Sequence, residues 1–97
     1  MKTIFPYELH VSGSGHCTLF ELGTDALALP LTALICARRR EREGAQQLVL
    51  EFPNGQVEIS GQGLDELLTH LLAGRVKTIR IGQHDTGTVT KLHFAEM

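Results

Sequence analysis

Residues 48–74 constrain the fold most, because they join a hairpin signal to a helix signal within one segment. Asn54-Gly55 is the dipeptide most typical of a two-residue type I′ turn, since both residues tolerate a positive φ. The cross-strand pairs that follow from a turn at this point are Phe52 with Val57, Glu51 with Glu58 and Leu50 with Ile59. Strand alternation then predicts one apolar face, formed by Leu48, Leu50, Phe52, Val57 and Ile59.

A leucine stripe after the hairpin predicts a helix over residues 64–73. The apolar positions follow the spacing of one helix face, at Leu64, Leu67, Leu68, Leu71 and Leu72. Gly74 can supply the left-handed residue that follows many helices. The Gly-x-Gly at residues 61–63 resembles the start of a dinucleotide fingerprint, but Glu66 occupies the place of its third glycine. We therefore interpret residues 61–63 as a tight strand-to-helix turn.

Residues 31–43 allow two interpretations. Pro30 suits the first turn of a helix, Gly44 suits its stop, and alanine, leucine, arginine and glutamate favour helix. Alternatively, the segment forms a long hairpin with residues 46–52. We predict a helix, which would also make the chain an internal repeat of two ββα units related by a shift of 30 residues. In either conformation we expect the charged residues 38–43 to project into solvent.

The predicted fold class is α+β, with the 97 residues in a single domain. We expect an antiparallel sheet of about six strands, packed on one face by helix 64–73 and by a second helix at 31–43. Further strands are predicted at residues 3–11 and 16–22, as a return strand that begins with Leu27 and Leu29 and completes a first hairpin, and at residues 76–81 and 88–95. In the last two, we expect a core face with Ile79, Ile81, Leu92 and Phe94, and an outward face with Arg80, Lys91 and His93.

Composition argues against nucleic-acid and membrane partners. The net charge is −2 and aromatic residues make up 5% of the chain, so the sequence offers neither a strong positive field nor many stacking surfaces. The longest apolar run, residues 26–37, is too short to span a bilayer. No signal-peptide pattern develops after the first five residues. We expect a cytoplasmic protein.

The reactive side chains do not assemble into a catalytic or metal-binding motif. Cys17 and Cys36 are two separate cysteines, which we interpret as free, buried thiols, with a single disulfide as the alternative. The five histidines form no His-x-x-x-His motif and the chain has no Cys-x-x-Cys. We therefore expect no catalytic residues, no metal and no cofactor. An enzyme that pairs a histidine with Cys17 or Cys36 is the least favoured hypothesis.

Basic residues form two groups that could bind a partner or a ligand. The first is Arg38, Arg39, Arg40 and Arg42; the second is Arg75, Lys77, Arg80 and Lys91. Arginine forks match carboxylate and phosphate geometry. Our leading hypothesis is a non-enzymatic module for protein interaction or self-association as a homo-oligomer, with the first group contacting a partner. The alternative is a small domain that binds an anion or a phosphorylated ligand through Arg80, Lys91 and His93 on one sheet face, with Arg75 as an additional contact.

Overall fold

The computed structural model describes residues 5–10, 17–84 and 87–96. These residues form nine strands, one α-helix and one turn of 3₁₀ helix, Leu31–Ala33. The strands are β1 Tyr7–Leu9, β2 Cys17–Leu22, β3 Asp25–Pro30, β4 Cys36–Arg42, β5 Ala45–Phe52, β6 Gly55–Gln62, β7 Val76–Ile79, β8 Gly82–His84 and β9 Gly87–Glu96. The α-helix, α1, is Asp65–Leu72. None of the described helices is long and apolar enough to cross a membrane.

The strands form two sheets, so the prediction of one sheet of about six strands is wrong, although the α+β class is confirmed. A four-stranded sheet has the order β1-β7-β2-β3, and a five-stranded sheet has the order β4-β5-β6-β9-β8. All neighbours are antiparallel except β2 and β7, which run parallel. The chain changes sheets after β3, returns through α1 after β6, and changes again after β7. The two sheets have four edge strands: β1, β3, β4 and β8.

One hydrophobic core holds the two sheets and α1 together. The four-stranded sheet contributes Phe20, Leu29, Val76 and Ile79; the five-stranded sheet contributes Leu48, Leu50, Phe52, Val57, Ile59 and Val89. The predicted apolar hairpin face is therefore confirmed. The rings of Phe20 and Phe52 meet edge to face across the core, with centroids 6.4 Å apart. This contact ties one sheet directly to the other.

The helix predicted at residues 64–73 is confirmed, but its stripe is narrower than predicted. Leu64, Leu67 and Leu71 are buried, whereas the side chain of Leu72 is 66% exposed. Successive helical residues are rotated by about 100°, so Leu72 lies roughly 90° from the centre of the stripe. Gly74 adopts a φ of 70°, and this confirms its predicted role after the helix.

Contacts from the five-stranded sheet fix the start of α1. The side-chain oxygen of Gln46 accepts a hydrogen bond of 2.7 Å from the backbone N–H of Leu64, one of the groups that a helix leaves unpaired. The guanidinium of Arg39 forms an ion pair with Asp65. The acid lies at the first helical residue, where the helix dipole favours negative charge.

The register of the central hairpin differs from the prediction by two residues. Phe52 pairs with Gly55, so the turn residues are Pro53 and Asn54, and Glu51 faces Gln56 rather than Glu58. A turn at Asn54-Gly55 would require Pro53 to donate a hydrogen bond to the partner strand, and proline has no N–H. A shift of two residues keeps every side chain on its predicted face.

The helix predicted at residues 31–43 is wrong: the segment forms the 3₁₀ turn and β4. Its apolar residues lie in its first half, and residues 38–43 are all charged, so a helix there would have no continuous stripe to bury. As a strand, residues 36–42 pair along their whole length with β5. Because the first hairpin is not followed by a helix, the proposed ββα repeat is not supported.

The turn between β4 and β5 has the type I′ geometry that the sequence predicted for Asn54-Gly55. Glu43 and Gly44 both have positive φ, 54° and 79°, and Glu43 is the sole non-glycine residue with positive φ among those described. Asparagine adopts this conformation more readily than glutamate. We expect Glu43→Asn to raise the free energy of unfolding by about 0.5–1 kcal/mol. Urea unfolding measures this, and Glu43→Gln, which removes the same charge, should bring no such gain.

Candidate functional site

Strand β4 forms a charged edge of the five-stranded sheet. Arg38, Arg40 and Arg42 alternate along it, so their side chains leave the same face, the one turned away from the core, and all three are exposed. Neighbours on one face of a strand lie about 6.5–7 Å apart. The expectation that residues 38–43 project into solvent is confirmed for those assigned to β4. We call Arg38, Arg40, Arg42 and the free edge beside them the arginine edge.

Arg39 differs from the other three arginines of β4. Its side chain points to the opposite face of the strand. There the guanidinium forms an ion pair with Asp65 of the same chain, so its charge is already matched. By contrast, the described part of the chain brings no carboxylate within ion-pair distance of Arg38, Arg40 or Arg42. The Nε of Arg40 donates a 2.6 Å hydrogen bond to the neutral side chain of Gln47. The three positive charges on the arginine edge thus form no ion pair within the described residues, and the nearest acid on their face is Glu51, which lines the same depression as Arg38 and Arg40.

The backbone of β4 offers hydrogen-bonding groups to a further strand. Arg42 and Ala45 flank a two-residue turn, so they form a hydrogen-bonded pair, and every second residue of β4 after them points its N–H and C=O to β5. The groups of the intervening residues, Ala37, Arg39 and Glu41, therefore face away from the sheet. No described segment pairs with that side of β4.

Two shallow depressions lie on the outer face of the five-stranded sheet. One, about 80 Å³, extends the arginine edge inward and is lined by Cys36, Arg38, Arg40, Val49, Glu51 and Gln56. The other, about 170 Å³, is lined by Gln47, Glu58, Ser60, Lys91 and His93. Lys91 and His93 therefore come together on one face, as predicted. Glu58 lies directly opposite His93 on the neighbouring strand and makes the second depression mixed in charge.

Arg80 does not share that face, so the predicted grouping of Arg80 with Lys91 and His93 is wrong. Arg80 follows β7 in the four-stranded sheet, where its guanidinium pairs with Glu8 and Glu21 at 3.2 Å each. Partial burial lowers the pKa of Arg80, but hydrogen bonds and charge from Glu21 and Glu8 outweigh it and raise the pKa above its ordinary value. Its charge is already matched within the fold.

Arg75 and Ile81 also lie away from the residues with which they were predicted to share a face. Arg75 follows α1, and its backbone N–H closes the helix end on the carbonyl of His70, while its side chain is exposed. Ile81, predicted on a core face with Ile79, is 52% exposed because β7 ends at Ile79. A ligand-binding role for Lys91, His93, Arg75 and Arg80 remains a prediction, and in this fold the four do not form one surface.

The cysteines are free, as predicted, but exposed rather than buried. Cys17 and Cys36 begin β2 and β4, on two different sheets. The Nε2 of His10 lies 3.2 Å from the backbone carbonyl oxygen of Cys17, so this histidine contacts the main chain there. Within the residues that the structure describes, no three histidine, cysteine or acidic side chains gather in a way that could hold a metal ion.

Comparisons of this chain with protein-family models, with curated proteins and with solved structures found no match. Sequence reasoning found the arginines but not the strand that spaces them at alternate positions. The signal for that strand was present in Glu43-Gly44, whose glycine suits a two-residue hairpin turn. No sequence pattern indicated that Gln47 and Glu58 would lie beside the basic residues.

Proposed function

We propose that this protein is a non-enzymatic interaction module that binds an extended, acidic segment of a partner along the arginine edge and that associates with a second copy of itself. The observation that carries the proposal is the combination, on one strand, of outward-facing backbone groups and three arginines on one face that form no ion pair with a described residue. Backbone hydrogen bonds supply affinity in strand addition, and alternate side chains supply specificity.

The spacing of the arginines specifies the partner. A strand added beside β4 presents its own side chains about 6.5–7 Å apart on each face. Aspartate or glutamate at every second position would therefore lie beside Arg38, Arg40 and Arg42 in turn. The residues between them would face Ala37 and the Arg39–Asp65 ion pair, where small or apolar side chains fit.

Charge also determines what the arginine edge rejects. Charged side chains on an edge strand oppose pairing with like-charged edges, and so protect against unselective aggregation. Two arginine edges would repel each other, whereas an acidic segment would be attracted. Selectivity from combined attraction and repulsion is typical of interfaces that must reject close competitors.

A peptide titration tests this function. The probe is a fluorescently labelled peptide in which glutamate alternates with valine, and the matched peptide has lysine in place of glutamate. We expect the glutamate peptide to bind, with an affinity that falls as salt rises because exposed charges are screened. Failure of the glutamate peptide to bind, or equal binding of the lysine peptide, would argue against the proposal.

Reversing charge on the arginine edge should weaken this binding. We expect Arg38→Glu combined with Arg40→Glu to reduce the affinity for the glutamate peptide at least about tenfold, since two attractive pairs become repulsive ones. The matched control is Arg75→Glu combined with Lys77→Glu, which changes the net charge equally at exposed positions away from β4. If both double variants lose the same affinity, binding follows net charge and not the arginine edge.

A further inference from the structure

The four strand edges are not equally protected against pairing. Strands β1 and β8 are three residues long, and β4 has its arginines. Strand β3, Asp25–Pro30, is six residues long, pairs with β2 without a bulge, and has only alanine and leucine between its ends. Long, regular, uncharged edges are the ones that pair with another chain. No described segment occupies the outer side of β3.

The register with β2 determines which backbone groups of β3 are free. Leu22 and Asp25 flank the two-residue turn Gly23-Thr24 and form a hydrogen-bonded pair, so Asp25, Leu27 and Leu29 point their N–H and C=O to β2. Ala26 and Ala28 therefore point theirs outward. Their side chains are exposed on the face away from the core, while Leu27 is half-buried on the inner face.

We propose that β3 pairs with β3 of a second copy in an antiparallel, two-fold symmetric register centred on Leu27. In this register Ala26 of each copy faces Ala28 of the other, and the two alanines exchange N–H···O bonds on both sides of the axis. All four outward-facing alanine groups of each copy are satisfied, with four hydrogen bonds at the junction. The two four-stranded sheets become one continuous sheet across the interface.

Proline at the end of β3 selects this register. A centre at Ala28 would place Ala26 opposite Pro30, which has no N–H to donate. A centre at Ala26 would place Ala28 opposite Thr24, which belongs to the β2–β3 turn. Centring on Leu27 avoids both, and it places the two Leu27 side chains next to each other on the inner face. The Asp25 carboxylates lie at opposite ends of the junction, away from each other.

This pairing rests on the self-association part of the proposed function and gives it a surface. It leaves the arginine edge of each copy unoccupied, because β3 and β4 are edges of different sheets. A dimer would carry two arginine edges, so a partner with two acidic segments could gain avidity from binding both.

The oligomeric state of substituted chains tests the pairing. Sedimentation velocity over a concentration series should show a dimer, which Ala28→Lys abolishes at every concentration at which the unsubstituted chain dimerises, because lysine blocks edge pairing. Ala28→Ser is the matched control and should remain dimeric. A dimer that survives Ala28→Lys overturns pairing at β3 but leaves self-association standing. A monomer at all concentrations overturns both, while leaving acidic-peptide binding to its own test.

Disulfide trapping tests the register independently of stability. In a chain with Cys17→Ser and Cys36→Ser, Leu27→Cys should form an intermolecular disulfide on mild oxidation, since residues opposed at a non-hydrogen-bonded position lie within disulfide reach. Ala26→Cys alone should not, because its neighbour across the interface is Ala28. Efficient trapping by Ala26→Cys, or none by Leu27→Cys, would overturn the register centred on Leu27.

Discussion

Gly61→Ala is expected to lower the free energy of unfolding by about 3 kcal/mol or more, because the added methyl group has no room between two paired strands. Gly61 lies in β6 at an irregularity in the pairing with β9. A Cβ added there would lie 1.8 Å from the backbone carbonyl oxygen of Thr88. A backbone oxygen cannot turn aside as a flexible side chain can, so the two strands would have to separate.

Gly44→Ala is the matched control for Gly61→Ala. Gly44 has a φ of 79°, yet a Cβ added to it meets nothing within 4 Å. Its substitution should cost about 1–2 kcal/mol from backbone conformation alone. Urea unfolding measures the loss of stability in each variant, and the two losses can be compared directly when the m-values are equal. Equal losses for Gly44→Ala and Gly61→Ala would contradict the close approach of β6 and β9.

Phe20→Ala is expected to cost about 3–5 kcal/mol, the range for removing a fully buried aromatic side chain. Phe20 is 0% exposed and belongs to the four-stranded sheet, while its edge-to-face partner Phe52 belongs to the five-stranded sheet. Removal of the ring would leave a cavity between the sheets. The loss is a large fraction of the stability of about 5–15 kcal/mol typical of a domain.

Leu19→Ala is the control on the same strand for Phe20→Ala. Leu19 points away from the core and is 37% exposed, so its truncation should cost well under 2 kcal/mol. A double-mutant cycle of Phe20 and Phe52 should give a coupling of about 1 kcal/mol. If Phe20→Ala costs no more than Leu19→Ala, the two sheets do not pack through this pair.

The sequence predicted those parts of the fold that depend on local pattern. The helix at residues 64–73 and the buried face of Leu48, Leu50 and Phe52 follow from apolar spacing alone. The hairpin register was wrong by two residues, because a missing N–H on Pro53 outweighed the preference of Asn54-Gly55 for a turn. The predicted face of each side chain was still correct, because a shift of two residues equals the period of strand alternation.

The parts that were wrong depend on contacts between segments distant in the sequence. Residues 36–42 have helical propensity, but pairing with β5 satisfies their backbone, and propensity is a weak preference beside such a ladder. The parallel pairing of β2 with β7 has no local signal, so the division into two sheets could not be predicted. For the same reason Arg80 was grouped with Lys91, although Glu8 and Glu21 hold it on the other sheet.

Residue-resolved amide hydrogen exchange, with and without saturating glutamate-alternating peptide, tests most directly the claim that this protein works through its free strand edges. The N–H groups of Ala37, Arg39 and Glu41 face solvent beside the arginine edge and should exchange fast in the free protein. We predict that the peptide slows exchange at these three positions and leaves Arg38 and Arg40, already paired with β5, unchanged. Unchanged exchange at Ala37, Arg39 and Glu41 in the presence of the peptide would contradict the account.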